Sequence, residues 1–448
     1  MTKYFFHLKE KLYFCSMKRI VAIFGLLFNV YALLDSTAAA QSVVDSAWRS
    51  DVKTVQLYRG GESREVQAEL LTPVLTLGER ARLTLEFDIL GAEPHHMSWS
   101  IAHCDRHWQR DDLEPQEYMT GFESGTIDDY DFSFTTLTDY VHYRAVVPDQ
   151  YAEFTHSGNF VLTVTDDATE EVLLTRRFCV SEATAKAGVE IGRPYDGTDI
   201  ERRQEVDVTV GSGELAAGVL MRPEYISVMV QQNGRRDNAR WLEFSGYDGD
   251  RLAYRSRKAN IFDGGNTFRY FDCSNLRSPM YNVMKIEDLG GEQFAILRPD
   301  EDRSKKHFLS EKTLNGGMQV NRWDRNNPRV EADYVWVNFC LPMEQPMLDG
   351  NVYVVGALTD WRLDSLSLMD YSASRRAYTK RLLLKQGYYA YQLLVDGAAA
   401  RLGGRSATAR LEGDHRETPN HYTVYVYHRS PADRADRLIA VTRRHGGQ

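Results

Sequence analysis

Cysteine is scarce in this 448-residue chain, and sequence signatures of common enzymes are missing. The five cysteines include no CxxC pair, which argues against a structural zinc site and a thioredoxin-like redox pair. No GxSxG, HExxH, phosphate-binding glycine loop or calcium loop occurs. The sequence therefore predicts a protein that is not an enzyme and that uses no cofactor and no catalytic or structural metal.

A long apolar run is missing as well. The longest run near the N-terminus, Ile20–Leu34, is short for a bilayer core that needs about 20 residues. It follows the basic head Met17–Arg19 and precedes the small residues Ala38–Ala40. This order predicts a secretory signal peptide over residues 17–40, with an uncleaved membrane anchor as the alternative.

Processing makes the chain more acidic. With Met17 as the true start, residues 1–16 lie upstream of it, and cleavage is expected near Ala40–Gln41. Removal of five basic and two acidic residues changes the net charge from −9 to −12. An acidic chain with interspersed charges is poorly suited to a nucleic-acid backbone. We therefore expect an exported protein whose partners are proteins or neutral ligands.

Short alternating apolar runs, broken by Gly, Asp and Ser turns, fill the remaining chain. Such runs are typical of antiparallel β-sandwiches, and helical periodicity is nearly absent. The predicted fold class is all-β, with three immunoglobulin-like or β-sandwich domains in series. The predicted segments are a first sandwich at 46–182, a second β domain at 187–329 with a charged linker at its end, an early-set immunoglobulin-like domain at 330–430, and a C-terminal tail at 431–448.

Two clusters raise the question of a site. A possible metal site consists of six residues within thirteen positions: His95, His96, His103, Cys104, Asp105 and His107. The favoured alternative is a strand Ser98–His103 followed by a turn in which His103 or Asp105 makes local hydrogen bonds. Adjacent carboxylates such as Asp111–Asp112 fit solvated turns better than a glycosidase pair. No catalytic, cofactor-binding or metal residue is predicted, and partner-binding residues are not identifiable from the sequence.

Several local predictions concern single residues. Cys104 and Cys179 are either a disulfide within the first domain or buried free thiols. Asn233-Gly234 predicts a type I′ hairpin turn. Trp361 is expected to be buried, together with Leu358, Leu363 and Leu366.

Tyrosines are concentrated in two late strands. Tyr388, Tyr389 and Tyr391 lie in one strand, where Tyr389 and Tyr391 share one face and Tyr388 points to the other. The tyrosines of this strand form either an outward contact surface or packed core. The same alternatives hold for the second strand, which contains Tyr422, Tyr425 and Tyr427.

Long stretches of the chain resemble the plug proteins of the type IX secretion system, a periplasmic family of the Bacteroidetes lineage. In the first domain these are SWSIAHCDRHW (98–108), residues 117–148 and SGNFVLTV (157–164). Later stretches lie at 297–304, 332–342, 356–363, 382–392 and 412–440. The most characteristic positions are His103-Cys104-Asp105, Trp108, Gly121-Phe122, Tyr140, Tyr143 and Ser157-Gly158-Asn159.

The resemblance implies a non-enzymatic plug. Such a protein binds the large outer-membrane translocon β-barrel, occludes the periplasmic end of its pore when no cargo is crossing, and is peripheral to the membrane through that partner only. The third domain also resembles glucan-binding early-set modules, in which Trp361 would stack on sugar. A second tryptophan of that family is replaced by Ala398–Ala400. The alternative function is therefore a periplasmic α-glucan-binding protein.

Overall fold

The computed structural model describes residues 43–446, apart from 64–66, 68, 196–198, 217, 257, 312–313, 326 and 398–406. The predicted signal peptide at 17–40 and the segment Ala398–Ala400 lie outside the described residues. From Val43 onward the chain forms one compact unit. Its regular secondary structure is almost entirely β-strand, which confirms the predicted fold class.

The first sandwich contains β1 to β12. Its two main sheets have the orders β1-β12-β11-β5-β7, with β3 also on β12, and β2-β4-β9-β8, while β6 and β10 form a small ribbon. The core lies between the two sheets and includes Phe87, Tyr143 and Phe160. The strands are β1 (Ser46–Ala47), β2 (Val52–Arg59), β3 (Val74–Thr76), β4 (Leu83–Leu90), β5 (Met97–Cys104), β6 (Met119–Thr120), β7 (Ser124–Thr126), β8 (Asp129–Phe132), β9 (Tyr140–Val147), β10 (Glu153–Phe154), β11 (Gly158–Asp166) and β12 (Val172–Ser181).

The second sandwich combines strands that are far apart in the sequence. Its sheets have the orders β13-β14-β18-β17, with β19 also on β14, and β16-β15-β29-β30. The strands are β13 (Lys186–Gly192), β14 (Arg203–Gly211), β15 (Ile226–Gln232), β16 (Arg240–Leu242), β17 (Gly246–Asp248), β18 (Arg251–Tyr254), β19 (Ile261–Asp263), β29 (His421–His428) and β30 (Arg437–His445).

The third sandwich is built around β28, which pairs with β20, β23 and β25, and around the sheet β21-β22-β24-β27-β26. Phe271, Phe339 and Tyr391 meet in its core. The strands are β20 (Arg269–Asp272), β21 (Val283–Leu289), β22 (Glu292–Leu297), β23 (Met318–Val320), β24 (Tyr334–Pro342), β25 (Asn351–Val355), β26 (Asp370–Ser372), β27 (Ala377–Lys385) and β28 (Gly387–Asp396).

Helix is confined to short segments. The described α-helices are α1 (Pro115–Tyr118), α2 (Pro328–Glu331) and α3 (Ala409–Glu412), and 3₁₀ turns occupy Val219–Met221, Pro223–Tyr225 and Ala357–Thr359. The predicted turn at Asn233-Gly234 is present. Both residues have positive φ, and the Arg235 N–H donates to the Gln232 carbonyl at 3.0 Å, as in a type I′ turn.

Strand pairing differs from the predicted boundaries of the second and third domains. Residues 269–297 supply β20 to β22 of the third sandwich, although they were assigned to the second domain. Strand β29, assigned to the third domain, pairs with β15 of the second sandwich. The predicted tail contains β30, which pairs with β29 along its length. Alternation identifies a strand but carries no information on which distant strand it pairs with, so a division of the chain in sequence order misplaces these strands.

Candidate interaction surface

The histidine cluster is divided between the two ends of β5. His95 and His96 precede the strand, and the other four residues lie at its end and in the following turn. Strand β5 ends at Cys104, and His103 is buried with its Nδ1 2.5 Å from Asp111 Oδ2. The Asp105 carboxylate accepts hydrogen bonds from the backbone N–H groups of His107 and Gln109, both at 2.8 Å. The predicted strand and turn with local hydrogen bonds are therefore confirmed. Among the described residues, no group of three or more His, Cys, Asp or Glu side chains is arranged to hold a metal ion.

Cys104 and Cys179 are free thiols. Both are cross-strand neighbours of Asn159, on opposite sides of β11. Two strand spacings separate them, which is about 10 Å between Cα atoms and too far for a disulfide. Burial raises the pKa of the Cys104 thiol to about 12, so this thiol stays protonated at neutral pH.

Ser157, Gly158 and Asn159 join the first sandwich to the C-terminal hairpin. The Ser157 hydroxyl accepts a hydrogen bond from the Leu438 N–H at 3.0 Å. The Asn159 side chain donates to the Asp105 carbonyl at 2.9 Å and accepts from the Tyr427 hydroxyl at 3.0 Å. A characteristic motif of the sequence is therefore a joint between two sandwiches.

Trp108 forms a second joint between the same two sandwiches. Its ring lies between the guanidinium groups of Arg177 and Arg236, at 4.9 and 5.0 Å from the ring centroid. A cavity of about 420 Å³ lies beside this joint and is lined by residues of all three sandwiches. Ion pairs between residues that line the cavity link the sandwiches. In one of them, Arg236 of the second sandwich lies 2.7 Å from Asp45 of the first.

A buried ion pair joins the first sandwich to the third. Lys385 Nζ lies 2.6 Å from Asp88 Oδ2, and the same carboxylate accepts a hydrogen bond from Tyr334 at 2.6 Å and contacts His142 at 2.7 Å. Burial alone would raise the pKa of Asp88, but Lys385 and His142 outweigh it and lower that pKa below its usual value. Burial lowers the pKa of Lys385, and Asp88 only partly opposes this. The joint therefore depends on an ionised Asp88.

Five of the six tyrosines in the two tyrosine-rich strands belong to the core, while Tyr388 is half-buried and stacks on Tyr270 with ring centroids 5.5 Å apart. Tyr389 and Tyr391 are buried, and Tyr389 stacks on Phe271 with ring centroids 5.3 Å apart. The three tyrosines of β29 are also buried: Tyr422, Tyr425 and Tyr427.

The environment of Trp361 differs from the prediction. Its ring packs edge-to-face on Phe268 at 6.0 Å, next to Gly316, and is only partly buried. Leu358 is buried, but Leu363 and Leu366 are exposed, so the predicted apolar cluster around Trp361 is wrong in two of its three members. Contact with Phe268 leaves less of the indole free to stack on a sugar.

Exposed aromatic side chains line one edge of the first sandwich. Strand β8 is the last strand of its sheet, and all four of its residues are exposed. We call the set Tyr130, Phe132, Phe134 and Leu137 the aromatic edge; the exposed fractions of these residues are 42%, 54%, 63% and 60%. Tyr130 and Phe132 contact each other, and exposed apolar side chains that group together on a folded domain indicate an interaction site, whereas scattered ones do not. The alternation Asp-Tyr-Asp-Phe in the sequence was the available signal, but it cannot distinguish an exposed strand from a half-buried one.

The domain that carries this edge matches a known family. Residues 52–182 match the family model described as "Type 9 secretion system plug protein 1st domain". The chain carries a type 9 secretion plug first domain. The aromatic edge and the Ser157–Asn159 joint both lie inside this plug first domain. The protein therefore has a role related to type 9 secretion.

One solved structure extends the comparison to most of the chain. A crystal structure of a hypothetical protein from Parabacteroides merdae is 29% identical, with a TM-score of 0.83, and the match covers 91% of this chain and 100% of that one. An alkylpurine DNA glycosylase from Pseudomonas fluorescens bound to DNA is 15% identical over 29% of this chain and 30% of its own; its TM-score of 0.15 carries no argument. No curated protein matches.

The plug family indicates a periplasmic location. Within the part of the chain that the structure describes, no helix is long and apolar enough to cross a bilayer.

Proposed function

We propose that this protein is a non-enzymatic periplasmic plug, which binds the outer-membrane translocon of the type 9 secretion system and occludes the periplasmic end of its pore when no cargo is crossing. The observation that carries the proposal is the aromatic edge on the plug first domain. A barrel wide enough for folded cargo leaks solutes unless something fills or covers it, and large outer-membrane barrels are commonly plugged.

The joints between the sandwiches support a covering role. A cover must keep its shape against the rim of a pore, and here the sandwiches are linked by directional contacts in buried surroundings. The ion pair of Asp88 with Lys385 links the first sandwich to the third, and the hydrogen bond of Asn159 with Tyr427 links the first to the second. Breaking such contacts leaves unpaired buried polar groups, which opposes hinge motion between the sandwiches.

Capture by the purified translocon tests the proposal. The tagged wild-type protein should retain the translocon from detergent-solubilised outer membranes. The double variant Tyr130→Ala, Phe132→Ala should retain at least tenfold less of it, because large aromatic anchors dominate binding free energy. Tyr281→Ala, which removes an exposed aromatic from the third sandwich, is the matched control and should bind like wild type. Equal retention by the double variant and the control would remove the aromatic edge from the contact.

A further inference from the structure

Strand β8 pairs with β9 along one side, and its other side has no partner strand among the described residues. Ser133 N–H donates to the Tyr140 carbonyl at 2.9 Å, so these two residues face each other across the ladder of β8 and β9. Backbone groups alternate in direction along an antiparallel strand. Asp129 and Asp131 therefore point their N–H and C=O groups towards β9, and Tyr130 and Phe132 point theirs away from it. No other strand among the described residues pairs with β8.

One backbone hydrogen bond is already made on this side, just beyond the end of β8. The next outward-pointing N–H, that of Phe134, donates to the Val330 carbonyl at 2.8 Å. Val330 belongs to α2, next to the third sandwich. The outward side is thus already engaged just beyond β8, while the outward backbone groups of Tyr130 and Phe132 have no hydrogen-bond partner among the described residues.

The two faces of β8 differ in chemistry. Tyr130 and Phe132 lie on one face and contact each other, with ring centroids 5.8 Å apart. Asp129 and Asp131 lie on the opposite face. Asp129 has a single long contact to Arg144 at 3.5 Å, and Asp131 has no ion pair within the described chain. A strand added here would meet aromatic side chains on one face and uncompensated negative charge on the other.

A second copy of this chain fits the free side poorly. When two β8 strands pair antiparallel with matching faces, the carboxylates of Asp129 and Asp131 meet carboxylates or their near neighbours of the other copy. Like charges directly opposite each other destabilise a strand pair. The complementary partner is a segment with basic side chains on that face and apolar side chains on the other.

We propose that β8 binds an extended segment of the translocon by strand addition, and that this segment alternates apolar and basic residues. The inference rests on the proposed function, because it names the mode of contact with the same partner. Backbone hydrogen bonds to Tyr130 and Phe132 would provide affinity, and the alternating faces would set the register. The short length of β8 limits the contact to a few backbone hydrogen bonds, as suits a reversible cover.

Proline substitution separates backbone pairing from side-chain contact. Phe132→Pro removes the ring and the outward N–H, whereas Phe132→Ala removes the ring alone. Proline is tolerated on an edge strand where its missing N–H faces outward. Strand addition predicts that Phe132→Pro raises the Kd for the purified translocon about three- to tenfold above that of Phe132→Ala, which is the loss expected for one hydrogen bond.

Charge reversal provides a second test that does not depend on the backbone. Asp131→Lys should weaken binding, because it places a cation against the basic face of the added segment. Asp112→Lys makes the same change in net charge at another exposed position of the first sandwich and should bind like wild type. If Phe132→Pro melts at a lower temperature than Phe132→Ala, its weaker binding could come from lost stability. The comparison of Asp131→Lys with Asp112→Lys then tests the proposed strand addition in its place.

The outcomes are distinguishable. If wild type binds but Phe132→Pro and Phe132→Ala have equal Kd values with unchanged melting, strand addition is wrong and the proposed function stands. Equal binding by Asp131→Lys and Asp112→Lys would exclude a basic partner segment. A dimer of the free protein that Phe132→Pro abolishes would assign the edge to a second copy. If wild type does not bind the translocon, the proposed function fails and the inference falls with it.

Discussion

Gly158 lies where the first sandwich meets the C-terminal hairpin, and only a residue without a side chain fits there. Its φ is +145°, which side chains rarely allow. An added Cβ would lie 2.3 Å from His103 Nε2 and 3.2 Å from the Asp436 carbonyl oxygen. The neighbouring His103 ring is buried and held by Asp111, so it has no room to move away.

Gly158→Ala should therefore lower the free energy of unfolding by about 2–4 kcal/mol, through steric overlap and an unfavourable φ. Denaturant unfolding of the purified protein measures this loss. Gly192→Ala is the control, because that position has open space and no positive φ, and it should change stability by less than about 0.5 kcal/mol. Equal unfolding midpoints for the two variants would mean that Gly158 has no steric role.

The buried contact of Asp88 with Lys385 leads to a second prediction at the residue scale. Asp88→Asn leaves the Lys385 ammonium buried without its partner and should cost about 3–5 kcal/mol. The double variant Asp88→Asn, Lys385→Met removes both charges and should regain most of that loss. A double variant as unstable as the single one would contradict this account.

The same pair predicts the response to acid. The folded pKa of Asp88 lies below its unfolded value of about 3.9, so its stabilisation is present above that pH. It is lost as the pH falls through the lowered folded pKa. Unfolding midpoints of the wild type should thus fall below about pH 4 more steeply than those of the double variant. Parallel curves for the two proteins would exclude a contribution from Asp88.

At the scale of strands and hairpins, the C-terminal segment is an integral part of the second sandwich. Strand β30 contributes the buried residues Leu438, Ile439 and Ala440, and β29 pairs with β15 on its other side. The carbonyls of Leu438 and Ile439 also accept hydrogen bonds from the connection between the first two sandwiches.

Truncation after Ser430 should abolish cooperative unfolding of the second sandwich, because it removes an entire strand and exposes the inner face of β29. Circular dichroism and limited proteolysis of the truncated protein measure this. Arg444→Ala, an exposed change in the same strand, should melt like wild type. A truncated protein with a single sharp transition at the wild-type temperature would restore the interpretation of this segment as a tail.

Local signals in the sequence found most strands but not their partners. Alternation and turn residues located β5, the turn at Asn233-Gly234 and β28, because these features depend on neighbours in the chain. The pairing of β15 with β29 joins residues about two hundred positions apart, and no local pattern encodes it. The exposure of β8 could not be predicted either, because it depends on which strand ends the sheet. Strand alternation shows that Tyr389 and Tyr391 share a face, but it does not tell whether that face lies in the core or on the surface.

At the scale of the whole molecule, the three sandwiches form one body with an exposed aromatic edge on the domain that defines the family. The sandwiches are held by polar joints at their contacts. The aromatic edge meets the third sandwich at its Phe134–Leu137 end, where backbone N–H groups donate to Val330 and Asp333, while the side chains of Tyr130 and Phe132 are exposed. A compact body with an exposed aromatic edge suits a protein that covers an opening and is released intact. The net charge of −9 for the full chain also suits the basic partner segment proposed above.

Outer-membrane permeability tests the central claim most directly. A strain that lacks this protein but keeps the translocon should admit a large hydrophilic antibiotic that the parent strain excludes, because an uncovered barrel is an open pore. A strain that lacks both should exclude the antibiotic again, since the barrel is the hole and this protein only covers it. Equal leakage in the two strains, or no leakage in the first despite an intact translocon, would contradict the plug account.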